Sequence, residues 1–286
     1  MRRLGQGLAA LAGIGFGCAA YLYLTLPDVR PLRTSTPSST AFIELRAREA
    51  RARGEAPRRV QRWVSYARVS QHLKRAVLVA EDSAFWQHDG VDYEQLKESM
   101  ETNFLRGAFV RGGSTITQQL AKNLYLSPSK NPVRKLRELL IARRLEAELS
   151  KQRILELYLN LIEWGDGIYG AEAAARTYFR KSAAEVGPQE AALLAGAIPN
   201  PRLLTIAHPT ALLRRRQQLI LSRMGAVTPP PVVAETAASP TGEEGNDDIP
   251  AVPTLQPEEL PAVLPGEPVP AEPPTPVKPC AVPPCR

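Results

Sequence analysis

The chain has 286 residues, a formal net charge of +7 and a sequence pI of about 9.5. That length makes one good-sized domain with extensions, and the basic balance suits anionic head groups, pyrophosphate-bearing substrates or nucleic acid. Aromatic residues make up only 6% of the chain and are not interleaved with the basic ones. This excludes the stacking surface of a single-strand binder, so no nucleic acid is expected among the partners.

Met1-Arg2-Arg3 precedes an uncharged run from Leu4 to Leu26. The run reaches the ~20 residues that cross a bilayer. The two arginines predict a cytoplasmic N-terminus, and Tyr21 and Tyr23 suit the far interface. Residues 1–26 are therefore expected to be a cytoplasmic tip and a single transmembrane anchor. The competing reading is a cleaved signal peptide, with Gly17-Cys18 hinting at a lipoprotein site; either one exports the rest of the chain.

Residues 27–56 read as a juxtamembrane linker. Pro27 to Thr40 is rich in Pro, Ser and Thr. Ala41 to Arg53 is a charged helix with Glu44 and Arg48 at i,i+4, either solvated or lying against anionic head groups.

Residues 57–226 carry helical periodicity almost throughout. Leu73, Val77 and Ala80 form one stripe, and Tyr93 to Leu105 holds another. Asn131 and Pro132 supply the cap and first residue of a helix with Leu136, Leu139, Leu140, Ala142 and Leu145 on its apolar face. Ile154, Leu155, Tyr158 and Leu159 make the next face. An Ala-rich helix follows at Ala171 to Phe179, an apolar one at Pro188 to Ile198 and a basic one at Arg214 to Arg223. Little alternates with period two, so the expected fold class is all-α.

Residues 227–286 are rich in Pro, Glu and Asp and lack the apolar mass that offsets ordering entropy. A disordered or polyproline-like tail is expected there. Cys280 and Cys285 can pair outside the cytoplasm, bond to another chain or stay inert.

The stretch from Val79 to Leu126 concentrates the chemistry. The apolar run Ala76-Val77-Leu78-Val79-Ala80 delivers two adjacent carboxylates, Glu81 and Asp82, to a helix end. Gly112-Gly113-Ser114-Thr115 then breaks the chain before a new helical pattern. Ser114 or Thr115 is a natural N-cap there, and a helix N-terminus favours anions. Gln118 and Lys122 lie at i,i+4 on one face of that helix. Each signal alone is ordinary: a solvated helix end, a cap, a turn at His88-Asp89-Gly90. Their order and spacing are not.

The pattern EDxxFxxHxGxD (Glu81, Asp82, Phe85, His88, Gly90, Asp92) followed by GGSTITQQLAKN (Gly112 to Asn123) resembles the peptidoglycan glycosyltransferases, which polymerise lipid II into glycan strands. RKxxE at Arg134, Lys135 and Glu138, SKxxILELYLN from Ser150 to Asn160 and EWGDGIYGAEAAARTYF from Glu163 to Phe179 continue the resemblance. Five blocks in family order are far more specific than any short motif. The resemblance implies a lysozyme-like bilobed helical domain. No SxxK acyl-transfer motif follows these blocks, so the implied class is the monofunctional, membrane-anchored one. Its expected location is the bacterial inner membrane, with the domain on the periplasmic side. Arg180 stands where the family commonly has Gly, which leaves the local turn geometry open.

The resemblance also assigns roles. Glu81 matches the first glutamate of the family and is expected to be the general base, with burial raising its pKa toward neutrality. Glu138 matches the second glutamate, orienting a network or steadying charge on the donor sugar. Arg134 and Lys135, which share its helix face, are expected on the pyrophosphate. Asp82, Ser114, Thr117, Gln118, Lys122 and Asn160 complete the expected substrate-binding set, while the block that holds Glu156 and Asn160 reads mainly as a framework for the cleft. The few histidines make zinc improbable, and no dedicated metal cage is visible; a divalent cation such as Mg²⁺ is an optional bridge to pyrophosphate. Expected partners are lipid II, the growing glycan chain, the bilayer and other cell-wall synthesis proteins. The alternatives are a lysozyme-like peptidoglycan-cleaving hydrolase and a non-catalytic membrane scaffold.

Overall fold

The computed structural model describes residues 2–106, 113–129 and 131–226, apart from the side chains of 2–5, 8–10, 18, 19 and 103. The Pro-rich tail with Cys280 and Cys285, most of the glycine loop including Gly112, and the Cys18 side chain lie outside the described residues. Helices dominate. In chain order they are α1 (Arg2–Leu24), α2 (Ala41–Ala52), α3 (Gln71–Glu81), α4 (Tyr93–Arg106), α5 (Ile116–Tyr125), α6 (Pro132–Glu148), α7 (Lys151–Leu161), α8 (Ala171–Phe179), α9 (Pro188–Ala197) and α10 (Ala211–Arg223).

Side-chain caps set where these helices begin. Ser70, Thr115, Asn131, Ser150 and Thr210 each accept a hydrogen bond from a backbone N–H in the first turn of α3, α5, α6, α7 and α10. Each such cap stabilises its helix by about 1 kcal/mol. Pro132 and Pro188 occupy first-turn positions, where the missing N–H is no loss.

One continuous core holds the helices together. α5 packs on both α6 and α7, while α3 packs on α9 and α10. Leu73, Leu78, Ile116, Leu120, Ile141, Leu145 and Tyr158 are fully buried between them. Trp164 is also fully buried and donates its indole N–H to the Leu159 carbonyl at 3.3 Å.

The fold is mostly helical, but the all-α expectation needs a correction. β1 (Val60–Gln61), β2 (Glu163–Gly165) and β3 (Ile168–Tyr169) form a small sheet in the order β1-β3-β2. β1 runs parallel to β3, and β2 runs antiparallel to it. Strands this short cannot show a period-two pattern. The tight turn between β2 and β3 needs Gly167, whose φ is +68° and where a Cβ would sit 2.7 Å from the Arg58 carbonyl oxygen.

Two local findings bear on the rest. Arg180 ends α8 in the left-handed conformation, φ 59° and ψ 27°, the only such non-glycine among the described residues. α1 is a helix of 23 residues, but among the described residues no helix is long and apolar enough to cross a membrane. The expected span is thus not shown, although the helix is. Its C-terminal end is held by α6. Arg137 donates to the Thr25 hydroxyl at 3.0 Å and its carbonyl at 2.8 Å. Arg144 reaches the Leu26 and Pro27 carbonyls and lies over the Tyr23 ring at 5.2 Å.

Candidate active site

α3 is amphipathic, and its inner face (Leu73, Ala76, Val77, Leu78) is wholly buried. That packing fixes the helix end, and the two adjacent carboxylates part ways there. Asp82 turns inward and is 1% exposed. Its Oδ2 accepts the Ile116 N–H at 2.9 Å, and the His88 ring approaches Oδ1 at 3.0 Å. Asp82 thereby joins the end of α3 to the start of α5. It holds the site together rather than lining it.

Glu81 is half-buried. Its Oε2 accepts a hydrogen bond from Gln119 Nε2 at 2.8 Å, and the Gln119 Oε1 accepts one from the Tyr158 hydroxyl at 2.9 Å. Burial pushes the Glu81 carboxyl up from 4.5 to about 6, and nearby Asp82 adds to the rise. The Gln119 hydrogen bond and the positive charges of Arg216 and Lys122 oppose it. Glu81 is therefore a carboxylate near neutral pH with unusual basicity.

Glu138 is 3% exposed on α6. It accepts from Arg134 Nη1 at 2.5 Å and from Lys135 Nζ. Lys135 also donates to Gln118 Oε1 at 3.0 Å and to the Ser114 hydroxyl at 3.3 Å. The helical i,i+3 and i,i+4 pairing is thus real, but it reaches across to α5.

α5 forms the spine between the two glutamates. Gln119 touches Glu81, and Gln118 reaches Glu138 through Lys135. Lys122 lies where it feels both carboxylates. Burial lowers its pKa, the charges of Glu138 and Glu81 raise it, and Arg134 and Lys135 lower it. Among the described residues no hydrogen bond or ion pair occupies its ammonium. The site therefore gathers Lys122, Arg134 and Lys135 between Glu81 and Glu138, with Arg216 beside Glu81 and polar Ser114, Gln118 and Gln119 among them. Two roomy cavities, of about 480 and 820 Å³, include neither Glu81 nor Glu138 in their lining. Converging side chains, not cavity volume, define the site.

Besides Asp82, itself expected to bind substrate, two more expected substrate-binding residues are placed otherwise. Thr117 is fully buried, and its hydroxyl donates to Glu146 Oε1 at 2.5 Å, away from Gln118. Adjacent helical residues point about 100° apart, so Thr117 and Gln118 cannot share a face. Asn160 is also fully buried. Its side chain accepts from the Val64 N–H and donates to the Val64 carbonyl, both at 2.8 Å, and donates to the Glu156 carbonyl at 2.8 Å. It docks the segment before α3 onto α7.

A second network explains the rest of the first motif. Lys151 donates to the His88 carbonyl and to Glu146, and lies 4.5 Å above the Phe85 ring. Gly90 takes a φ of +84°, and its carbonyl accepts from the Thr115 hydroxyl at 2.7 Å. These contacts fasten the His88–Gly90 turn under the start of α5. Asp82, His88 and Asp92 each bring a ligand-type atom within 4.8 Å of one another. All three are already hydrogen-bonded: Asp82 and His88 to each other, and Asp92 to the Gln95 N–H at 2.8 Å. These hydrogen bonds tie the three side chains into the segment between α3 and α4.

Gln119, Tyr158 and Arg216 are not among the expected site residues. Gln119 carries a signal, since it lies at i,i+3 from Lys122. Tyr158 and Arg216 reach the site only through tertiary packing.

Residues 49–225 match the family model described as Transglycosylase. Several relatives carry the name biosynthetic peptidoglycan transglycosylase. The one from Dechloromonas aromatica is 49% identical over 194 residues, covering 68% of this chain and 84% of the relative. The one from Aromatoleum aromaticum is 56% identical over 166 residues, 58% of this chain and 72% of the relative. The one from Thiobacillus denitrificans is 43% identical over 229 residues, 80% of this chain and 97% of the relative. The family match runs from before β1 to the end of α10 and takes in both glutamates and the cations between them: the chain belongs to the transglycosylase family.

Proposed function

We propose that this protein polymerises lipid II into β-1,4-linked glycan strands with release of undecaprenyl pyrophosphate. The observation that carries the reading is Lys122 on α5, set between Glu81 and Glu138. Glu81 removes the proton of the acceptor hydroxyl as that oxygen forms its bond to the donor anomeric carbon. The bond from that carbon to the pyrophosphate oxygen breaks on the opposite face, so the configuration inverts. Lys122, Arg134 and Lys135 bind the charge that builds on the leaving pyrophosphate. Glu138 keeps Arg134 and Lys135 in place, and Ser114 and Gln118 add polar contacts beside them. A base with a pKa of about 6 is well matched to proton removal near neutral pH.

On this reading α1 is the membrane anchor and the domain works on the outer side of the inner membrane. Its support is the uncharged run after Arg2 and Arg3 and the grip of α6 on its C-terminal end. N-terminal sequencing of the protein extracted from membranes tests the anchor: a mature chain starting at Cys18 or later makes the segment a cleaved signal. Incubation of the purified protein with lipid II in detergent tests the reaction. Growing glycan is expected, shortened glycan would indicate a hydrolase, and unchanged lipid II would indicate a scaffold.

A further inference from the structure

We propose that Gln119 and Tyr158 are a positioning pair that holds the Glu81 carboxylate with one oxygen anchored and the other free for the acceptor proton. The proposal rests on the reading of Glu81 as the base. Tyr158 is fully buried on α7, and a buried phenol needs a partner. Its hydroxyl donates to Gln119 Oε1 at 2.9 Å. Burial and the neighbouring carboxylates raise the Tyr158 pKa well above 10, so the group stays a donor at every working pH.

The phenol settles which way the Gln119 amide faces. With Oε1 accepting from Tyr158, the NH₂ group points at Glu81 Oε2, 2.8 Å away. The flipped amide would set its oxygen against the carboxylate and leave the phenolic proton without an acceptor. The chain from α7 through α5 to α3 thus has one satisfied arrangement. Among the described residues Glu81 Oε1 receives no hydrogen bond, so it is the oxygen left to take the proton. The charges facing Glu81 are Lys122 from α5, Arg216 from α10 and Asp82 beside it. The one charged residue of α9, Glu190, is held by Lys181, and Met224–Ala226 adds none.

The test uses the full chain in detergent with lipid II and four variants: Tyr158→Phe, Gln119→Met, the two combined, and Glu81→Gln. Each single positioning variant should lower kcat by about 10-fold to 100-fold with KM within about twofold. Each should also move the acidic limb of the pH–rate profile to higher pH, because the carboxylate loses its donor or the orientation of that donor. Since Tyr158 acts through Gln119, the combined variant should be no slower than Gln119→Met. An unmoved limb, losses that multiply in the combined variant, or an effect carried by KM would each overturn the pairing. Gln119 is only half-buried, so Gln119→Met carries the test if Tyr158→Phe does not fold. Wild-type synthesis by Glu81→Gln would instead sink the base reading itself; an inactive Glu81→Gln with an unmoved limb sinks only the pairing.

Discussion

Replacing Glu81 with glutamine should make the protein inactive and more stable at once. Burial at the end of α3 raises the Glu81 carboxyl from 4.5 to about 6. Between those values the folded state binds more protons than the unfolded one, so stability falls as pH rises through this window. Below pH 4.5 the neutral acid resembles the amide and the two proteins should melt together. Above pH 6 the ionised carboxylate opposes folding by at most about 2 kcal/mol, at 1.36 kcal/mol per tenfold change in proton affinity. Glu81 keeps some solvent contact, so about 1–2 kcal/mol is the expected gain. The glutamine oxygen can still accept from Gln119 Nε2, which keeps that hydrogen bond. For a domain of this size the gain amounts to a rise in Tm of about 3–6 °C at pH 7.5. Synthesis from lipid II should fall by roughly 10²–10⁴-fold, because an amide cannot take the proton. Thermal melts of both proteins from pH 4 to 8, beside the polymerisation assay, measure the two effects. A melting difference that stays constant across that range, or a less stable variant at pH 7.5, would show that Glu81 is not desolvated.

Three further outcomes are expected. Lys122→Ala and Lys135→Ala should each weaken binding of a lipid-pyrophosphate donor by about 1.5–3 kcal/mol while barely affecting a sugar without the pyrophosphate; equal losses for both ligands would leave the lysines as structural charges. Arg180→Gly should raise stability by about 0.5–1 kcal/mol, since glycine adopts the left-handed end of α8 without steric penalty, and a denaturant melt with a lower midpoint would contradict this. Asn160→Ala should lower stability by about 2–4 kcal/mol with donor affinity of the folded fraction unchanged; weaker donor binding at equal folded fraction would return Asn160 to the substrate.

Much of the helical layout is legible from local chemistry. Asn131 with Pro132 marks the start of α6, and the apolar run before Glu81 marks the buried face of α3, because caps and 3.6-residue periods are properties of neighbouring residues. β1, β2 and β3 are invisible at this level, since two or three residues cannot display alternation and their pairing joins Val60 to Ile168. Within the site, the cations around Glu138 follow from helical spacing on α6. Thr117 is a different case: the motif places it beside Gln118, while the helix turns it to Glu146. Asn160 shows that membership of a motif does not separate a ligand contact from a framework contact. The Tyr158–Gln119–Glu81 chain depends on how α7 and α5 pack, which no spacing along the sequence encodes.

The two duties of α6 have a geometric consequence. Arg137 and Arg144 grip the chain at the end of α1, and Arg134, Lys135 and Glu138 on the same rigid rod face α5. At ~1.5 Å of rise per residue, all five side chains leave the rod within about 15 Å along its axis. If α1 crosses the bilayer, the point where the polypeptide emerges and the cations proposed to meet pyrophosphate are fixed within about 15 Å of each other along α6. A lipid carrier keeps its pyrophosphate at the water boundary of the membrane. On the proposed function, one rigid helix would then tie the exit of the chain from the membrane to the cations proposed for the leaving pyrophosphate, and α6 would serve as a spacer between them.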